Sequence, residues 1–377
     1  MSIESYIIDG ARTPIGLKNG AMVGVRSDDL TAMVIKGLMK RNSTISPNII
    51  EDVVVGCAFP EGPQGMLMAR AISILSDLPV ATGAKVVNRF CGSSMDSVHQ
   101  LSQAILAGDI DAGIAAGVED MFGVPMGGFN PSFHPDLYEK ELYIGMGDTA
   151  EILSKDLDIS REDQEAFAIR SHEKALSAIK DGKYKNEIIP VKINGVTIKT
   201  DEGPRTPDID KIKSLDPAFD VNGSITAATS SPISVGAAAA IIMSKERAVE
   251  LGISAKFKIR SRAIAGVEWT RMGSGPLPAT EKALNKAGLT MDDIETIELN
   301  EAFAAQSLYV IRKGKWDIDK INLNGGAIAL GHPLGCSGVR LLVTLMNVME
   351  QEGTCLGLAT MCIGSGQGIA TVIEKVN

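Results

Sequence analysis

The chain has 377 residues, 45% hydrophobic but only 4% aromatic, with 39 glycines and a formal net charge of −9. At roughly 100–200 residues per domain this length allows two or three domains around an aliphatic, small-residue core. The acidic balance argues against a dedicated nucleic-acid binder, which carries a basic stripe.

No apolar run approaches the roughly 18–20 residues that span a bilayer. The start, "MSIESYIIDGARTP", lacks the charged and apolar regions of a secretory signal. Five cysteines without a CxxC pair point to reduced thiols in a cytoplasmic setting, not a disulfide frame. In chain order, "SYIIDG" predicts a strand, "DDLTAMVIKGLMKR" a helix, and "DVVVGC" and "AGIAAGV" further strands. After residue 118 the pattern breaks into a Gly/Pro/Met-rich loop, "MFGVPMGGFNPSFHPDL". "SREDQEAFAIRSHEKALSAIKDGK" then predicts a helix capped by Ser160, with Glu162 and Asp163 at its positive end and Gly182 closing it. A Pro-rich polar passage follows, then "GSITAATSSPISVGAAAAIIMS". Beyond it "FKIRSRAI", "TIELNE" and "GLATMC" predict strands, and "VRLLVTLMNVMEQ" a helix. Alternating strands and helices with continuous apolar runs predict an α/β fold with largely parallel sheets.

The pattern recurs. "SPNIIEDVVVGCAF" starts at residue 46 and "TMDDIETIELNEAF" at 290, a spacing of 244. At nearly the same spacing "IKGLMKRN" resembles "EKALNKAG", "IDAGIAAG" lies over "CLGLATMC", and Cys91 lies over Gly335, three residues after His332. Four pairs in one order imply a duplicated α/β unit. The first half is then 1–118, completed by about 219–246. An inserted loop domain occupies 119–218, where a long excursion carries ligand contacts or a lid. The second half is 247–377.

Four segments offer chemistry. Cys91 follows an apolar run and opens a helix through Gly92, Ser93 and Ser94. A cysteine among apolar neighbours is most often inert core, but a helix N-terminus would favour its thiolate and make it a nucleophile. His332 sits in a turn between Gly331 and Pro333, poorly placed for core filling. The other three histidines look ordinary: His99 on the helix after Cys91, His134 in the loop, His172 on a polar helix face. Cys362 ends a strand before the turn Gly364–Gly366, which is either a simple hairpin or an acid/base thiol beside free backbone N–H groups. Asn300 and Glu301 end another strand, where Asn is either a helix cap or an amide that holds a water or a carbonyl oxygen.

Together and in this order the segments resemble the thiolase family. "VNRFCGSS", "MGDTAE", "SREDQEAFAIRSHEKA", "MGSGPLPA", "NEAFAAQ", "GGAIALGHPLGCSG" and "CIGSGQG" look like its signatures, and the resemblance runs from residue 10 to 374. It implies two duplicated halves in five layers, α-β-α-β-α, with an inserted loop domain over coenzyme A. It also implies roles. Cys91 would be the acylated nucleophile, His332 would take its proton, and Cys362 would be the second acid/base. Asn300 would hold a water that, with His332, binds one thioester oxygen. The N–H groups of Cys91 and Gly364 would form a second oxyanion hole. Coenzyme A would meet Arg205, Ser231, Met146, Ala302 and Phe303. No metal or redox cofactor is implied, since coenzyme A is a substrate.

"VNRFCGSSM", and Gly145 before Met146 where the biosynthetic branch tends to carry His, look more like the bacterial degradative branch. That branch cleaves 3-ketoacyl-CoA with CoA. The alternatives are condensation of two acetyl-CoA and, from another class, a catalytically silent lipid-CoA carrier or scaffold. Family likeness implies a homodimer or dimer of dimers built on the N-terminal units, and leaves open a hydratase/dehydrogenase partner subunit. Departures from the family pattern lie at Phe122, Asp216, Ala228, Thr229 and Val235, in or beside the segment expected to cradle CoA.

Overall fold

The computed structural model describes residues 4–376. The first half runs β1 (Ser5–Arg12), α1 (Ser27–Arg41), β2 (Asp52–Gly56), α2 (Met68–Leu75), β3 (Gly83–Val87), α3 (Ser93–Ala107) and β4 (Ala112–Asp120). The insertion contributes α4 (Met146–Asp156) and α5 (Arg161–Lys180), and β5 (Ser234–Ser244) returns to the first half. The second half runs β6 (Phe257–Gly266), α6 (Pro276–Ala287), β7 (Thr296–Leu299), α7 (Ala304–Gly314), α8 (Leu334–Glu352), β8 (Leu356–Ile363) and β9 (Gln367–Lys375).

These strands form one ten-stranded sheet, nine along the path β7-β8-β9-β6-β1-β5-β4-β2-β3 and the tenth, Gly16–Leu17, beside β5. The two halves meet at β1 and β6 through only Tyr6↔Lys258 and Ile7↔Phe257. The expectation of largely parallel sheets needs correction. β2–β3, β2–β4 and β7–β8 are parallel, but β1–β5, β4–β5, β8–β9 and β6–β9 are antiparallel. β8 and β9 are a hairpin over the Gly364–Gly366 turn, and the chain leaving the insertion re-enters beside β4 in the opposite sense.

Strand periodicity of two makes the layers. In β2, Val53 and Val55 face an outer core with α1 and α2, while Val54 faces inward. In β5, Ala237, Ala239 and Ile241 face out, and Ala238, Ala240 and Ile242 face in. In the second half Met361 and Ile373 face in, while Leu358 and Val372 face α6 and α7. The middle layer is α3 beside α8, between the two sheet halves, giving α-β-α-β-α. Small residues let these helices touch: a Cβ on Gly338 would lie 2.2 Å from the backbone nitrogen of Met95.

The duplication shows at its turns. Ser46 caps the short turn Pro47–Ile49 before β2, and Thr290 with Asp293 makes a capping box on Met291–Asp293 before β7. The insertion helix α5 has the expected cap, Ser160 Oγ accepting from the Asp163 N–H at 3.1 Å, and Gly182 follows it at φ +70°. No helix among the described residues is long and apolar enough to cross a membrane.

Candidate active site

A tight elbow presents Cys91. Asn88 anchors it, donating from Nδ2 to the Ala58 carbonyl at 2.9 Å and accepting the Phe90 N–H on Oδ1 at 2.9 Å. Ser93 Oγ donates to the Phe90 carbonyl at 2.5 Å and accepts from the Arg89 N–H at 2.9 Å. These bonds hold Phe90 at φ +42°, a left-handed conformation that costs a bulky residue on the order of 1–3 kcal/mol. The strain turns the chain sharply from β3 into α3 and leaves Cys91 half-buried at the start.

The expected low-pKa thiolate is not what the structure holds. Burial pushes the Cys91 thiol up to about 11, although the N–H groups of Gly364 and of Cys91 itself partly offset this. Burial outweighs the helix end, whose first two N–H groups are already used. Gly92 N–H bonds to the Arg89 carbonyl at 3.0 Å and Ser93 N–H to the Phe90 carbonyl at 3.1 Å. The resting thiol is therefore protonated at neutral pH and requires a base.

The hydrogen bonds of His332 leave one ring nitrogen free to accept a proton. The residue is 4% exposed, on the Gly331–Pro333 loop before α8. Ser337 Oγ lies 2.9 Å from the Pro333 carbonyl and 2.6 Å from His332 Nδ1. The carbonyl can only accept, so the hydroxyl proton goes there and Nδ1–H donates to Ser337. Nε2 then carries the lone pair, with Asn300 Nδ2 at 3.3 Å. Burial, and then the charge of Arg340, push the imidazole down to about 3, so His332 is neutral at neutral pH.

Asn300 follows β7 directly and is fully buried. It is not a helix cap: the N-cap of α7 is Phe303. Its Oδ1 lies 3.5 Å from Arg340 Nη2, and its own N–H donates to the Thr360 carbonyl at 3.1 Å.

Cys362, 1% exposed, shares an apolar cluster with Ala302 and Phe303, with Met146 packed against it. Burial first, then negative charge on Cys91, raise its thiol well above the ordinary range, so the two sulfurs are close neighbours. Gly364 begins the turn behind them; a Cβ there would lie 3.5 Å from Phe90 and 3.6 Å from Met146 Sδ. The turn closes a hairpin, and its Gly364 N–H is directed at Cys91. Cys57 and Cys336 are buried in the cores, and Cys355 is exposed.

Arg205 lies apart from the thiols. It lines a cavity of about 490 Å³ with His172, Thr206, Lys211, Leu215 and Ala228. His172, expected on a polar face, is instead 4% exposed, and its Nδ1 accepts from the Arg205 N–H at 3.4 Å. Burial and the Arg205 charge push it down to about 4. A backbone strip links cavity and thiols. Ala228 lines the cavity, Ala304 N–H donates to the Thr229 carbonyl at 2.8 Å, and Ser231 N–H donates to the Ala302 carbonyl at 3.0 Å.

The departures fall into place unevenly. Phe122 packs against the outer core and Val235 lies within it, so both serve packing. Thr229 Oγ1 accepts from the Thr226 N–H at 2.9 Å and turns the strip. Asp216 is exposed, and nothing in the structure explains it.

Sequence reading passed over Ser337, Arg340 and Glu119. Ser337 was visible inside "GHPLGCSG" as a hydroxyl one turn into the helix after His332. Glu119, in "GVEDMF", is buried and accepts from the N–H groups of Ala58 at 2.7 Å and Gly335 at 2.8 Å, tying the exit of β2 to the start of α8. Arg340 carried no local signal, since its partners Glu298 and Asn300 lie on another element.

Known proteins share this framework. A family model described as the thiolase N-terminal domain matches residues 5–246, and one described as the thiolase C-terminal domain matches 253–375. Curated proteins named 3-ketoacyl-CoA thiolase are similar throughout. That of Shewanella baltica is 49% identical over 99% of this chain and 100% of its own, and that of Aliivibrio fischeri is 49% identical over 98% of each. A crystal structure of the Bacillus anthracis acetyl-CoA acetyltransferase superposes with a TM-score of 0.92 at 32% identity, covering 100% of this chain and 99% of that one. Both family domains, in order and over nearly every residue, make this chain a member of the thiolase family.

Proposed function

We propose that this chain is a 3-ketoacyl-CoA thiolase, an acyltransferase that cleaves 3-ketoacyl-CoA with CoA to acetyl-CoA and a shortened acyl-CoA. The observation that carries this reading is the pair of neighbouring thiols, Cys91 and Cys362, with Gly364 N–H directed at Cys91. One thiol suffices for acyl transfer. A second is needed where a carbon acid must also gain or lose a proton.

His332 Nε2 takes the Cys91 proton, and the sulfur attacks the 3-keto carbon. The N–H groups of Cys91 and Gly364 hold the resulting oxyanion. The C2–C3 bond then breaks, and its electron pair becomes the enolate of acetyl-CoA, whose oxygen faces His332 and the Asn300 amide. Cys362 protonates C2, and acetyl-CoA departs. The proton on His332 passes to the Cys362 thiolate, which resets both groups. Incoming CoA gives its thiol proton to His332 and attacks the acyl-Cys91 carbon. Cys91 leaves and recovers that proton. Atoms and charges close with these side chains and backbone groups alone, so the scheme calls for no metal or redox cofactor.

The Arg205 cavity suits the phosphates and adenine of CoA, and the strip from Ala228 to Ala302 suits its pantetheine arm, passing Ser231 and Met146. Assembly follows from the sheet edge. β3 is the terminal strand, and Met66, Leu67 and Val80 beside it are 99%, 56% and 85% exposed. We place a second copy of the chain there, as unpaired edges are normally covered. The free thiols suit a cytoplasmic location. A hydratase/dehydrogenase activity must supply the 3-keto substrate, whether or not its subunit binds this one.

Incubation with CoA and acetoacetyl-CoA, then with a longer 3-ketoacyl-CoA, tests the reading by mass spectrometry of the products. Cleavage of both is expected. Turnover of the four-carbon ester alone would favour the condensing enzyme, and binding without turnover a carrier.

A further inference from the structure

One face of α8 reaches three polar partners on other elements. Ser337 meets His332, Arg340 one turn on meets β7, and Thr344 Oγ1 meets Glu187 Oε1 at 3.4 Å. These positions, three and four residues apart, share a helix face. Glu298 on β7 and Asn300 just past its end are two residues apart, which places them on one side of the extended chain. Arg340 bridges them: Nη1 lies 3.4 Å from Glu298 Oε2 and Nη2 lies 3.5 Å from Asn300 Oδ1. The guanidinium is 1% exposed, and its Nε has no partner among the described residues, so these two contacts hold it.

We propose that Arg340 is a positioning residue for the active site, its planar fork fixing the Asn300 amide so that Nδ2, not Oδ1, faces His332 and the thioester oxygen. The proposal rests on the thiolase reading above. An amide can rotate by 180° with little change in shape, so its neighbours decide which end points where. A guanidinium only donates, and therefore demands Oδ1. At the other end Nε2 must hold a lone pair, because Nδ1–H is committed to Ser337. With Oδ1 reversed onto Nε2, the lone pairs would oppose each other, or the proton would move to Nε2 and abolish the base. The reversed amide would also present an acceptor to the enolate oxygen. Glu298 acts one step back, holding the fork in plane with the amide. Lys cannot replace Arg here: a single ammonium keeps the charge but does not span two acceptors in one plane.

The test is a double-mutant cycle on the cleavage reaction, with kcat and KM measured for wild type, Arg340→Met, Arg340→Lys, Asn300→Ala and Arg340→Met with Asn300→Ala. Misorientation of a reacting group costs on the order of 10²-fold. Arg340→Met is expected to lower kcat by about that factor with KM within about threefold, and Arg340→Lys by at least about tenfold. The double variant should be no slower than Asn300→Ala alone, since Arg340 acts through that amide. Losses that multiply in the double variant would overturn the proposal, as would wild-type kcat in Arg340→Lys. If Arg340→Met does not fold, Glu298→Gln keeps the volume and loosens the fork. Its loss of kcat should then vanish in the Asn300→Ala background, and persistence there counts against the proposal. Wild type that cleaves no 3-ketoacyl-CoA sinks the functional reading instead. The same cycle, read by Cys91 alkylation rate, then judges the positioning role separately.

Discussion

Replacing Cys362 with Ala separates the two thiols. The side chain is 1% exposed, in a cluster of small and flexible residues that includes Ala150, Met272, Ala302 and Ala305. Removing one sulfur leaves a small cavity and costs stability on the order of 1 kcal/mol, too little to unfold the chain. Cys91, its elbow and His332 make no hydrogen bond through Cys362, so acyl transfer at Cys91 should survive. Exchange of an acetyl group between acetyl-CoA and CoA uses only that transfer, with His332 carrying the proton both ways. Carbon–carbon cleavage also needs a proton at C2. It should fall on the order of 10²–10⁴-fold, the usual worth of a positioned general acid, or about 2.7–5.4 kcal/mol of barrier. Cys91→Ala should abolish both activities. A radiolabelled acetyl-exchange assay beside the cleavage assay reads both steps on the same samples. If Cys362→Ala loses exchange as completely as Cys91→Ala, Cys362 is not a dedicated proton carrier and the division between the thiols is wrong.

Alkylation by iodoacetamide tests the resting state of Cys91. With its thiol pushed up to about 11, labelling should climb with pH between about pH 7 and 10 without levelling, and exposed Cys355 should react first at neutral pH. A plateau for Cys91 below about pH 8 would restore the low-pKa thiolate. Gly338→Ala puts a Cβ 2.2 Å from Met95 N and forces α3 and α8 apart, so thermal unfolding should show a loss of about 1–3 kcal/mol, and an unchanged Tm would contradict this packing. Arg12→Met leaves Glu187 and Asp201 buried without the cation that bonds them at 2.8 and 2.6 Å, and urea unfolding should register a loss of about 3–5 kcal/mol. Since Asp201 also accepts the Ile15 N–H at 2.8 Å, proteolysis near residues 199–205 should quicken in that variant, and unchanged nicking would show that another contact holds the segment.

What was legible in the sequence was local. Runs such as Val53–Val55 gave strands, Ser160 with Asp163 gave the start of α5, and the matching turns capped by Ser46 and Thr290 revealed the duplication. What was missed depended on distant partners. Strand direction was misjudged because nothing in "GSITAATSSPISVGAAAA" states which way β5 enters beside β4. His172 looked polar on its own helix, whereas the chain near Arg205 folds over it. The pair Arg12 and Asp201 lies 189 residues apart, beyond any periodicity. The thiolate expectation failed for a subtler reason. Burial of Cys91 outweighs what a helix N-terminus offers, and the elbow that presents the thiol uses the Gly92 and Ser93 N–H groups itself.

Burial explains why the resting site holds neutral groups. The same desolvation raises both thiols and lowers His332, so a thiolate–imidazolium pair is disfavoured until a substrate oxygen can receive charge. In the proposed mechanism the fixed N–H groups of Cys91 and Gly364, and the amide of Asn300, stabilise charge that exists only during reaction. The duplicated fold supplies these parts from equivalent places. α3 begins just after Cys91, α8 begins just after His332, and the two helices lie side by side in the middle layer. In the proposed mechanism one half therefore supplies the nucleophile and the other the base, at corresponding helix starts. The β7 exit and the β8–β9 turn of the second half add the amide and the second thiol. In the proposed mechanism the acceptor His332 and the C2 donor Cys362 both lie in the second half and Cys91 in the first, so that chemistry depends on the close contact of α3 with α8 that Gly338 permits.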